Sequence, residues 1–153
     1  MSRLLSAWVL GTLLVAADAV SSAEPDELAA NRARWEAAGM RSYEYGYRKF
    51  CECHREAPPE TVVRVTEGEI DRVHHLHAGS AREVPAREGS LELYWTIDDL
   101  FALIASATER DAVVQASYDE TLGYPMAVFI DYDAALIGDE LDVRLTRLQA
   151  REP

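Results

Sequence analysis

The chain lacks the run of about 18 to 20 apolar residues that a permanent helical membrane anchor needs. It is also short of basic charge: 15 Lys and Arg stand against 27 Asp and Glu, a formal charge of −12 over 153 residues. Nucleic acid and anionic membrane surfaces are therefore poor partners, since both repel such a surface and neither finds a basic patch on it. A cationic partner or a metal ion is easier to accommodate. Only two cysteines are present, so one intramolecular disulfide is the most the chain can form. There is no phosphate-binding loop, no dinucleotide fingerprint, and no Ser/His/Asp or Cys/His nucleophile arrangement with supporting context. No residue is assigned a catalytic role, and a non-enzymatic function is expected.

What is present begins with a leader. Arg3 precedes the apolar run "LLSAWVLGTLLVAA", which closes at Asp18 and is followed by the small residues of "DAVSSA". A basic start, a short apolar core and small residues before a break form the three-part pattern of a secretory signal peptide. Cleavage is expected after Ala23, with Ala19 as the second choice, leaving residues 24–153 as one soluble domain. Removal of Arg3 and Asp18 takes one charge of each sign, so the mature chain stays at −12. The expected location is periplasmic or extracellular, without stable membrane insertion.

Along the mature chain, "PDELAANRARWEAAG" reads as a helix, with Pro25 and two acids in its first turn and Gly39 at its end. Its apolar face is thin, anchored by Leu28 and Trp35. From Ser42 the period changes to two, as Tyr43, Tyr45 and Tyr47 alternate with Glu44, Gly46 and Arg48. "TVVRVTEGEIDRVHHLH" has the form of a hairpin turning at Gly68, and the aperiodic "AGSAREVPAREGS" predicts a loop between two halves. "WTIDDLFALIASA" combines a Thr-x-x-Asp capping pattern with apolar residues at helical spacing. Three further strands follow in "AVVQASYD", "YPMAVFIDY" and "ELDVRLTRL". A helix and three strands, twice, predicts an α+β two-layer domain with an antiparallel sheet of about six strands and both helices on one face.

The Cys-x-Cys after a tyrosine-bearing strand, the "TIDDLF" helix start, and "YDETLGYP" followed by "FIDYD" and "GDELDV" together resemble a domain-of-unknown-function family of small exported bacterial proteins. The resemblance spans roughly Trp35 to Leu148. It implies export, a single small α+β domain and no established activity.

Cys51 and Cys53 admit three readings. In an oxidising compartment the two are expected to pair, although i and i+2 on a strand lie about 6.6 Å apart at Cα, near the limit for a disulfide. Closing so short a loop stabilises by only about 1.6 kcal/mol on the chain-entropy estimate, so such a clip would fix a local bend rather than the fold. Redox exchange is disfavoured, because Glu52 and Glu56 would raise a thiol pKa and no helix N-terminus follows to lower it. The third reading joins Cys51 and Cys53 to His75 and His77, which share one face of their strand, in a Cys₂His₂ set suited to zinc or copper. It assumes that the histidine strand lies beside the cysteine strand. The plain alternative is an exposed histidine cluster at a strand end.

The remaining candidates have structural readings. "DYDAALIGDELD" is rich in carboxylates, but Leu136 and Ala135 stand where a calcium loop needs glycine and a ligand, so a solvated acidic turn is expected. In "YDETLGYP", Gly123 suits a left-handed turn position and Asp119 can bond turn amides. Tyr43, Tyr45 and Tyr47 are core if their face turns toward the helices, and a binding platform, with Tyr124 nearby, if it is the open face. The chain is thus read as an exported domain that binds a protein partner or small ligand through its open sheet face or the loops near Cys53 and Tyr124. Transition-metal binding is the alternative.

Overall fold

The computed structural model describes residues 25–50, 61–76, 83–85 and 91–152, with residues 83–85 as backbone alone. The first helix, α1 (Pro25–Ala38), is polar on nearly all sides and buries only Asn31 and Trp35. A helix so thinly amphipathic is held by docking rather than by its own propensity. Trp35 supplies the contact: its ring lies edge-on to Tyr43, with centroids 5.3 Å apart, and its indole N–H donates to Asp98 Oδ1 at 3.1 Å. Helix α2 (Ile97–Glu109) is the opposite case, burying Ile97, Leu100, Phe101, Ile104 and Ala107. Its first turn closes as the sequence predicts, with Thr96 Oγ1 accepting from the Asp99 N–H and Asp99 Oδ2 accepting from the Thr96 N–H.

The strands are β1 (Tyr43–Phe50), β2 (Thr61–Thr66), β3 (Glu69–Leu76), β4 (Glu83–Pro85), β5 (Val113–Tyr118), β6 (Pro125–Asp131) and β7 (Leu141–Ala150). They form one antiparallel sheet in the order β4-β3-β2-β1-β7-β6-β5. The expected α+β architecture is therefore present. Its sheet has seven strands because residues 83–85, inside the expected loop, pair with the outer edge of β3. Three residues joined only by edge pairing carry no alternation that a sequence pattern could register. The two halves meet where β1 pairs with β7, so the first strand of one half adjoins the last strand of the other.

Alternation sorts the side chains between two faces. Tyr43, Tyr45, Tyr47, Val63, Val65, Val73, Val128, Ile130, Val143 and Leu145 turn toward the helices and are buried. The opposite face carries Glu44, Arg48, Phe50, Arg64, Phe129, Asp142 and Arg144, and no helix among the described residues covers it. At the β5–β6 turn, Gly123 has φ +78°, and a Cβ there would stand 2.4 Å from the Asn31 carbonyl oxygen. Glycine at this point lets α1 approach the turn. Asp119 Oδ1 accepts from the Thr121 and Leu122 N–H groups in the same turn, as expected.

Candidate functional site

The three alternating tyrosines take the core position, not the open face: Tyr43, Tyr45 and Tyr47 are 1%, 0% and 3% exposed, and Tyr124 is 7% exposed. The alternation put them on one face, but sequence cannot say which face the helices cover. They form a continuous aromatic line with Trp35, Tyr94 and Trp95, neighbouring centroids lying 5.2–6.4 Å apart. Two hydroxyls in the line are spent on the entry to α2. Tyr45 donates to the Trp95 carbonyl, and Tyr43 accepts from the Ile97 N–H at 3.0 Å. Burial pushes all three phenols upward in pKa. For Tyr43 the hydrogen bond from Ile97 works against that rise, and for Tyr47 the neighbouring Tyr94 adds to it.

Tyr47 differs from the other two. Its hydroxyl is fully buried and has no hydrogen-bond partner among the described residues. Register places Tyr47 opposite Thr61 and Thr61 opposite His75, a row of three across β1, β2 and β3 on the helix-facing side. Thr61 Oγ1 lies 3.0 Å from His75 Nδ1 and also hydrogen-bonds Tyr94. Lys49, two residues beyond Tyr47, sets its ammonium 5.2 Å from the Trp95 ring centroid. His75, Tyr94 and Trp95 are partly exposed and Lys49 is exposed, so the cluster reaches solvent on one side. It brings together two aromatic rings, an imidazole held by Thr61, an ammonium and an unsatisfied phenol.

The other predicted residues divide in two. Cys51, Cys53 and His77 lie outside the described residues. The sheet order answers the adjacency on which the metal reading rested: β2 runs between β1 and β3, so the histidine and cysteine strands are second neighbours. Their C-terminal ends nevertheless lie at the same end of the sheet, since each is antiparallel to β2. His74 and His75 face opposite sides, as alternation predicts. Among the described residues no group of three or more His, Cys, Asp or Glu side chains is placed to hold a metal ion.

Sequence reasoning missed Thr61, Tyr94 and Trp95. The two aromatics sit beside a strong helix signal, which absorbs attention, and nothing local shows that the chain before α2 folds back over β1. Comparison with known proteins now adds one finding: residues 27–150 match the model of DUF6174, a family of unknown function. The chain belongs to this family. The match covers both helices from Glu27 onward and all seven strands, so the whole described fold is the family's domain. No curated protein and no solved structure matches the chain.

Proposed function

We propose that this DUF6174 domain is an exported, non-enzymatic binding protein that takes a compact ligand in the cluster of Tyr47, Thr61, His75, Tyr94, Trp95 and Lys49. The observation that carries the reading is the buried Tyr47 hydroxyl without a partner. Leaving such a group unpaired costs about 1–3 kcal/mol, so a fold tolerates it mainly where something else completes the bond. The ligand chemistry follows from the lining: an acceptor oxygen for the phenol and ammonium, on a planar or apolar body that rests on Tyr94 and Trp95. Export is supported by the leader pattern before residue 24.

The test is NMR, observing both ligand and protein, with a library of small aromatic carboxylates and amides, repeated on Tyr47→Phe and His75→Ala. Hits that shift the Tyr94 and Trp95 resonances and weaken about tenfold or more in Tyr47→Phe support the site. A library without hits, or hits indifferent to both substitutions, would overturn it.

A second reading is favoured by one geometric fact. Thr61 holds His75 at Nδ1 and does not engage Nε2, the arrangement in which a hydrogen bond to one nitrogen orients a metal-ligating imidazole. The strands after which Cys51, Cys53 and His77 follow in sequence, β1 and β3, finish at the same end of the sheet. Native mass spectrometry of protein purified without chelator decides this reading. One stoichiometric zinc or copper lost in the Cys51→Ser, Cys53→Ser double variant supports a metal centre, and unchanged metal content removes it.

A further inference from the structure

Two features outside the ligand cluster stand at one end of the sheet, on or beside the face that no helix among the described residues covers. The first is a pair of arginines. Arg48 and Arg144 stand directly opposite each other on β1 and β7, a like-charge pairing that destabilises a ladder. Both guanidinium carbons lie near the Phe50 ring, at 6.0 and 5.6 Å from its centroid. Arg144 is offset by Asp142, with two contacts of 3.2 Å, whereas Arg48 has no carboxylate partner among the described residues. In a chain of charge −12 this is a local excess of positive charge beside an aromatic ring. A shallow depression of about 280 Å³ opens next to it, lined by Gln115, Ser117, Ala127, Phe129 and Arg144.

The second feature is the β6–β7 loop. Leu136 and Ile137 are 58% and 90% exposed, adjacent apolar side chains at a loop tip. The loop is tied internally: the Ala135 N–H donates to Asp133 Oδ1, the Leu136 N–H to the Asp133 carbonyl, and the Gly138 N–H to Glu140 Oε2. The tip is thus held out on an ordered loop flanked by acids. It leaves the sheet one residue beyond the row Phe129–Asp142–Phe50, at the same end as the arginine pair.

We propose that the open face is a two-fold interface between copies of this chain, in which the Leu136–Ile137 tip of each seats against Phe50 and Phe129 of the other. Asp133 and Asp139 of that loop then face Arg48 and Arg144. The apolar tip and the arginine pair stand at the same end of the sheet, so a two-fold axis there brings each to the other's copy at once, as a self-complementary interface requires. The whole face approaches, before side-chain relief, the area that a stable complex needs. Seven strands about 4.8 Å apart and about 20 Å long present a face of roughly 600 Å², before side-chain relief is added, against about 800 Å² per partner in a stable complex. Net repulsion between two chains of −12 is screened beyond about 8 Å at 0.15 M salt, while contact pairs are screened much less.

Sedimentation equilibrium of the purified protein at about 0.15 M salt and up to roughly 100 µM tests this. A dimer is expected, with association weakened at least about tenfold by Ile137→Asp and by Arg48→Glu, each keeping the wild-type circular dichroism and melting profile. Asp139→Arg placed on Arg48→Glu should recover part of the loss, which a folding defect would not do. A monomer throughout that range overturns the proposal. So does a dimer unmoved by Ile137→Asp, which would place the contact elsewhere. Binding in the Tyr47 cluster is read separately by NMR, so failure of either idea leaves the other standing.

Discussion

Tyr45 and Tyr47 are two residues apart on one strand, equally buried, and differ only at the hydroxyl. Tyr45 donates to the Trp95 carbonyl, so Tyr45→Phe strips a partner from a buried acceptor and should destabilise by about 1–2 kcal/mol in urea unfolding. Tyr47→Phe removes an unpaired buried hydroxyl and should be neutral or stabilising by up to about 1 kcal/mol. Losses of similar size in both variants would show that the Tyr47 hydroxyl is satisfied in solution and would remove the main support for the ligand site. A substitution that raises stability while abolishing binding is the signature of a group kept for function. Alternation put the three tyrosines on one face of their strand and predicted that His75 and His77 share a face of theirs. It could not show that Tyr47 and His75 are joined through Thr61, because that row depends on cross-strand register over two turns. Neither Thr61 nor Tyr94 carries chemistry that marks it out alone.

At the level of elements, the strong local signals were legible and the tertiary ones were not. Helix α2 could be read from Thr96, Asp99 and four apolar residues because capping and periodicity are local. Helix α1 could be placed from Pro25 and Gly39, but not its docking, which rests on Trp35 meeting Asp98 and on the space kept open at Gly123. Gly123→Ala tests that docking directly. The new Cβ would meet the Asn31 carbonyl at 2.4 Å in a backbone region that alanine disfavours. A loss of about 2 kcal/mol or more is expected, with α1 amides exchanging faster than those of α2 in hydrogen-exchange measurements. A uniform change across both helices would mean instead that α1 and α2 unfold as one unit. Strand β4 was missed because pairing at a sheet edge is decided by the backbone of β3, and the seventh strand therefore has no signature of its own.

For the whole molecule, the layered arrangement concentrates phenols inside and carboxylates outside, and this sets its response to alkali. Burial raises Tyr43, Tyr45 and Tyr47 above the usual phenol value near 10, and pushes Tyr118 up to about 12. Below pH 10 both folded and unfolded chains keep these protons, so the tyrosines leave stability unchanged. Above pH 10 the unfolded chain releases protons that the folded chain holds, and stability falls by about 1.4 kcal/mol per pH unit for each such tyrosine. Three tyrosines acting together give a slope of roughly 4 kcal/mol per pH unit, enough to exhaust a typical stability of 5–15 kcal/mol within a few units. Absorbance at the phenolate band should therefore rise cooperatively and coincide with loss of circular dichroism, in place of a gradual titration. Ionisation of Tyr43, Tyr45 and Tyr47 in a chain that stays folded would mean instead that water reaches the buried part of the aromatic line. Tyr47→Phe should reduce the slope by about one tyrosine's share. The same substitution thus links the ligand cluster to the alkaline limit of the fold.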